Sequence, residues 1–260
     1  MSDHFPDLPE VRFEGPESDN PFCFRFYQPD RLVEGTPMRE HLRFASCFWH
    51  TMRNGLGDPF GDPVAPMPWE TGRSERLDLA RVRLDAFFEL LSKLSIGFWC
   101  FHDRDIAPEG ASVAESERLL DAAVEHAEGL QRSTGIRPLW GTANLFSHPR
   151  YVHGASTGDS PEVFARAAAQ VATAMEATKR LGGGGYVFWG GREGYSTLLN
   201  TDLGLERRHL GRFLELAVGH ADAIAFEGSL FIEPKPKEPT IHQYDSDAAA
   251  CLDFLREFDL

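Results

Sequence analysis

His102 and Asp105 stand three residues apart at the end of the apolar run 95–101. A carboxylate hydrogen-bonded to one imidazole nitrogen fixes the tautomer and raises the basicity of the ring. The other nitrogen can then act as a general acid or base near neutral pH. The same spacing also suits a histidine that is only held in place by its neighbour. A second candidate is the stretch Leu230-Phe231-Ile232-Glu233-Pro234-Lys235-Pro236-Lys237-Glu238-Pro239. It reads as a buried strand that leaves the sheet through a carboxylate and an ammonium. Strand side chains repeat every two residues, so Glu233 and Lys235 point to one side. Pro234 and Pro236 keep them extended and end the ladder. Glu233 suits a hard divalent cation, and Lys235 could steady a developing oxyanion. The alternative is an ion pair, or solvated charges on a Pro-rich loop. A third candidate is aromatic. Trp49, Trp140 and Trp189, with Phe60 and Phe146, could wall a pocket that excludes water, or could be ordinary core.

Bulk properties narrow the classes. The 260 residues carry a net charge of −14 with no basic block, which argues against nucleic acid and anionic membrane partners. Cys23, Cys47, Cys100 and Cys251 form no CxxC pair and have no histidine at zinc spacing, so a reducing cytoplasm is expected. The polar, acidic start of the chain lacks signal-peptide features, and no apolar run is long enough for a bilayer span. The glycines around Gly55, Gly57 and Gly61 do not have dinucleotide spacing, no GKS or GKT follows a Gly-rich turn, and there is no HExxH.

The elements that must position these residues alternate. Residues 1–38 read as a Pro-rich arm and 39–260 as one α/β domain. Apolar runs predict strands over 42–51, 95–101, 136–143, 186–189 and 229–232, with helices over 77–94, 112–133, 160–181, 205–221 and 245–258. Ser112 with Glu115 makes a capping box, and Ser160-Pro161 and Gly182 bracket the third helix. Buried strands alternating with helices imply parallel βαβ units. The polar candidates gather at strand C-termini, the catalytic edge of a (β/α)8 barrel and also of an open doubly wound sheet. Five units use up the sequence, where a closed barrel needs eight.

Several stretches resemble xylose isomerase, in its longer class with an N-terminal insert. They are 39–44, 58–61, Phe101-His-Asp-Arg-Asp-Ile-Ala-Pro-Glu-Gly110, Trp140-Gly-Thr-Ala-Asn-Leu-Phe146, Tyr186-Val-Phe-Trp-Gly-Gly-Arg-Glu-Gly-Tyr195 and 232–239. The resemblance implies a (β/α)8 (TIM) barrel of which about the first five βα units are present. It also implies isomerisation of D-xylose to D-xylulose by a metal-assisted 1,2-hydride shift, with activity on D-glucose left open. Two divalent cations, Mg²⁺, Mn²⁺ or Co²⁺, are the implied cofactors, and a cytoplasmic homotetramer the implied form. By the same resemblance His102 assists ring opening, Asp105 orients it, Lys235 binds near the substrate oxygen and Glu233 is a metal ligand. Trp49, Trp140 and Trp189 match the apolar wall and Thr142 a residue near the substrate. Phe60 matches an aromatic that reaches a neighbouring subunit's site.

The same comparison shows a departure, because three further βα units and most of the metal ligands have no counterpart in these 260 residues. The chain is therefore expected to be a C-terminally truncated form with low or no activity alone. The alternative is a non-catalytic partial barrel that binds sugar or complements another chain.

Overall fold

A computed structural model describes residues 4–53, 67–72 and 75–260. Phe60 and the glycine-rich loop around it lie outside the described residues. The chain divides into two compact units, Met1–Leu139 and Trp140–Leu260.

The first unit holds strand β1 (Ala45–Cys47), helix α1 (Arg76–Lys93), strand β2 (Phe98–His102) and helix α2 (Val113–Thr134). β1 and β2 are parallel, with Ala45 opposite Phe98 and Cys47 opposite Cys100. All of β2 is buried, as expected of a strand covered on both faces. α1 presents Leu84, Phe87, Phe88 and Leu91 to the core at i, i+3, i+4 and i+7. Their partners are aromatic: Phe48 meets Phe87 edge-on at 5.1 Å, and Phe88 meets Trp99 at 5.3 Å. The capping box forms with its return bond shifted by one residue, to Ala111 instead of the cap Ser112. The Glu115 amide donates to Ser112 Oγ at 3.1 Å, and the Glu115 carboxylate reaches back to the Ala111 amide at 2.7 Å. Upstream residues lie along α1, where the amides of His4 and Phe5 donate to the Glu89 carboxylate and that of Val11 to the Lys93 carbonyl at 2.7 Å.

The run 42–51 is not one buried strand. Pairing stops at Cys47, and a helical turn, Trp49–Arg53, follows. Phe48 and Met52 are buried at helical spacing while Leu42 and Phe44 are half exposed. The Thr51 hydroxyl donates to the Cys47 carbonyl at 2.9 Å, which offers the backbone an alternative to the ladder.

Strand β3 (Arg137–Thr142) carries the chain from the first unit into the second. There follow helix α3 (Pro161–Leu181), strand β4 (Gly185–Trp189), helix α4 (Leu203–Ala223), strand β5 (Ser229–Glu233) and helix α5 (Ala248–Glu257). Ser160 caps α3, Pro161 takes its first position and Gly182 ends it at φ +80°. At its start β3 runs beside β2, with the Arg137 amide donating to the Gly97 carbonyl at 3.1 Å. Further on, Gly141 pairs with Tyr186 of β4, and β4 pairs in parallel with β5 from Gly185–Ser229 to Trp189–Glu233. The five strands are thus neighbours in chain order. A doubly wound sheet reverses its order at a switch point, whereas a (β/α)8 barrel adds strands consecutively, so the order here is of the barrel type.

The expected burial of the last strand is not met. Side chains alternate along β5, and Phe231 is 48% exposed. Among the described residues β5 has a sheet neighbour on one side only, β4, so the apolar run 230–232 is an edge.

Candidate active-site residues

β2 ends at His102 and the chain turns at once into a single helical turn, Asp103–Ile106. A turn of helix brings i and i+3 to one side, so Asp105 comes back under the imidazole. His102 Nδ1 lies 2.6 Å from Asp105 Oδ2, with both side chains almost fully buried. With Asp105 ionised, Nδ1–H donates and Nε2 is the nitrogen that can exchange a proton. The Trp49 ring is tilted over the imidazole at 4.2 Å between centroids. Arg53, one turn beyond Trp49, places Nε 3.9 Å from Asp105 Oδ1. Burial, then the charge of Arg83, pushes the Arg53 guanidinium below its ordinary range. Helix geometry therefore delivers both an apolar lid for His102 and a cation for Asp105 from the same short turn. The apolar run 42–51 predicts Trp49 in a strand, and nothing local to Arg53 in the sequence marks it as a partner of Asp105.

In the second unit Trp140 lies within β3 and Thr142 ends it. The buried Thr142 hydroxyl donates to the Val187 carbonyl of β4, tying two strands together. Trp189 ends β4, opposite Glu233 in the register of β5. Phe146 meets the Trp189 ring edge-on at 4.5 Å, and Lys235 Nζ stands 5.2 Å from the centroid of that ring. Sheet pairing stops at Glu233, as the prolines require. Lys235 Nζ stands 3.4 Å from the Glu238 carboxylate, and Glu233 itself is exposed.

Two carboxylates that the sequence reading passed over sit behind these residues. Glu193, buried, accepts the amides of Ala155 and Ser156 on Oε1 at 2.9 and 3.0 Å. Its Oε2 accepts the Thr157 amide at 3.0 Å and the Thr157 hydroxyl at 2.7 Å. Asp245, also buried, has its acidity weakened to about 6, chiefly by desolvation and further by the charges of Glu193 and Glu233. Hydrogen bonds from its own amide and that of Gly190 act the other way. Asp245, Glu193 and Ser156 line a cavity of about 50 Å³ whose remaining walls include Tyr186, Phe213 and Phe254. Glu193 follows a Gly-Gly pair in the sequence, a signal that a backbone turns sharply there; Asp245 carries no comparable signal.

Among the described residues no group of three or more His, Cys, Asp or Glu side chains is gathered to hold a metal ion. None of the described helices is long and apolar enough to cross a membrane.

No family model matches the chain. Over all 260 residues it is 55% identical to the xylose isomerase of Thermotoga maritima. It is 55% identical over 257 residues to that of Caldicellulosiruptor bescii, and 54% identical over 256 residues to that of Rhodopirellula baltica. The chain spans 58% of the length of each of these curated relatives. A solved structure from Anabaena variabilis, described as a sugar phosphate isomerase/epimerase, is similar with a TM-score of 0.50 at 14% identity. The likeness covers 82% of this chain and 60% of that one, and speaks to the fold alone.

Proposed function

We propose that this chain, whose sequence belongs with the xylose isomerases, carries part of the machinery that isomerises D-xylose to D-xylulose. The observation behind the proposal is identity of 55% over all 260 residues. The local geometry agrees with it. In this reading His102, oriented by Asp105 at 2.6 Å, moves the proton when the sugar ring opens. Trp49 and Trp189 keep water from the reacting carbons, and Lys235 stands beside a substrate oxygen that gains negative charge. Trp140 belongs to the same apolar wall, Thr142 supports it from the sheet, and Phe60 completes it in a neighbouring subunit of a cytoplasmic homotetramer.

The implied pair of divalent cations is a different matter. Hard cations of this kind take about six oxygen ligands, and each is held by at least one or two protein carboxylates, so a pair of them needs more than one. Glu233 is one carboxylate, and no cluster of three or more candidate ligands exists among the described residues. The residues present do not fit two ions, and we assign no step to a metal here. The consequence can be measured. The purified 260-residue chain, shown by light scattering to be monodisperse, is assayed for D-xylulose formation with Mg²⁺, Mn²⁺ and Co²⁺. The expected result is no turnover that a chelator removes. Turnover abolished both by chelator and by His102→Ala would mean that these residues hold a complete cation site, and would overturn this part of the reading.

A further inference from the structure

Trp189 and Lys235 leave the sheet on different strands, yet the ammonium is held over the ring. The segment 241–245 supplies a physical reason. His242–Gln243 pairs antiparallel with Gly194–Tyr195, and the Ile241 and Tyr244 amides donate to the Tyr195 and Glu193 carbonyls at 3.2 and 3.1 Å. The segment thus lies along the loop that follows β4. It grips the loop that follows β5 as well. The Lys235 amide donates to the Asp245 carbonyl at 3.0 Å, and the Gln243 amide to the Pro236 carbonyl at 3.2 Å. The buried Gln243 side chain adds bonds to both loops. Gln243 Nε2 donates to the Gly191 carbonyl at 3.1 Å and the Glu238 carbonyl at 2.9 Å. The Asp245 carboxylate packs against Gly190, the residue directly after Trp189. The fit is close: a Cβ on Gly190 would stand 2.9 Å from Asp245 Oδ2, and one on Gly194 only 2.2 Å from the His242 carbonyl.

We propose that Gln243, by bonding the loop after β4 to the loop after β5, and Asp245, by packing against Gly190, are positioning residues that hold Lys235 over Trp189. The importance of that placement rests on the isomerase reading above, in which Trp189 walls the sugar and Lys235 faces one of its oxygens.

The test uses a readout that sugar turnover does not enter. Protons of the Lys235 ε-methylene, adjacent to the Nζ held 5.2 Å from the Trp189 centroid, are expected to resonate upfield of those of exposed lysines, and the signal is identified by its loss in Lys235→Arg. In the 260-residue chain, Asp245→Ala and Gln243→Leu are expected to return the signal to the exposed-lysine position. Asp245→Asn keeps the shape of the side chain against Gly190 and is expected to keep the shift. Met175→Ala, a core truncation on α3, loosens the unit without touching the segment and is expected to keep it too. If Asp245→Ala fails to fold, Gln243→Leu carries the test. An unchanged Lys235 signal in Gln243→Leu overturns the proposal. So does an equal loss in Met175→Ala, which would make the effect one of general stability. A failed isomerase assignment leaves every one of these signals unchanged.

Discussion

Glu193→Ala is expected to destabilise the second unit by about 4 kcal/mol, the unsatisfied amides in its interior each costing roughly 1–3 kcal/mol but not additively. The argument is a count of donors. Three successive amides, of Ala155, Ser156 and Thr157, and the Thr157 hydroxyl all converge on one carboxylate. The carboxylate is acceptor-only, so it can satisfy all of them, and each bond is charge-assisted. Removing it leaves buried donors with nothing in the fold to replace it. Glu193→Gln separates the two oxygens. A glutamine oxygen in the place of Oε1 keeps the Ala155 and Ser156 bonds, while its amide group faces the Thr157 donors and repels them. The expected loss is about half that of alanine, roughly 2 kcal/mol. Urea unfolding followed by far-ultraviolet circular dichroism reads both values. A loss under about 1 kcal/mol for Glu193→Ala would mean that water replaces the carboxylate freely, contrary to this account.

Asp245 makes a stability prediction with a definite sign in pH. Its acidity lies at about 6 in the folded chain against an ordinary 3.8, so the native state holds this proton more tightly than the unfolded state. Below pH 4 both states are protonated and nothing is lost. As the pH rises through about 6, ionisation in the desolvated site removes up to about 3 kcal/mol of stability, the shift converted at 1.36 kcal/mol per unit. Asparagine does not titrate. The stability of Asp245→Asn minus that of the wild type is therefore expected to grow between pH 4 and pH 6.5 and then level off. Taking the difference at each pH cancels every other titrating group. A difference that stays flat over this range contradicts the burial argument. So does one that falls as the pH rises.

How far the sequence discloses these features depends on the distance between the partners. Ser112 with Glu115, and Ser160 with Pro161, each act within one helical turn and start their helices where the pattern predicts, and Gly182 ends the second of them. His102 with Asp105 is equally local, because a strand end followed by one helical turn brings i and i+3 together. The Glu193 bonds join residues 36 to 38 positions apart, and no local pattern announces which three amides will face a given carboxylate. Asp245 likewise gains its character from Gly190 and from desolvation, neither of which is visible around residue 245. Two apolar runs depart from the expected strands for a related reason. Around residue 48 the apolar spacing changed from strand to helix within four residues, and at Phe231 burial depends on what lies beside the strand rather than on its composition. The barrel-type order could not be read from alternation alone. It follows from the pairing of consecutive strands.

The central claim is that these residues are the His102, tryptophan and Lys235 portion of a xylose isomerase site whose cation ligands are supplied by other residues. The most direct measurement joins all 260 residues to the part of the Thermotoga maritima relative that they do not cover, and assays the folded fusion for D-xylulose formation from D-xylose with Mn²⁺. The account predicts turnover that a chelator abolishes and that the 260-residue chain alone does not show. A folded, metal-binding fusion that leaves D-xylose unchanged would contradict it.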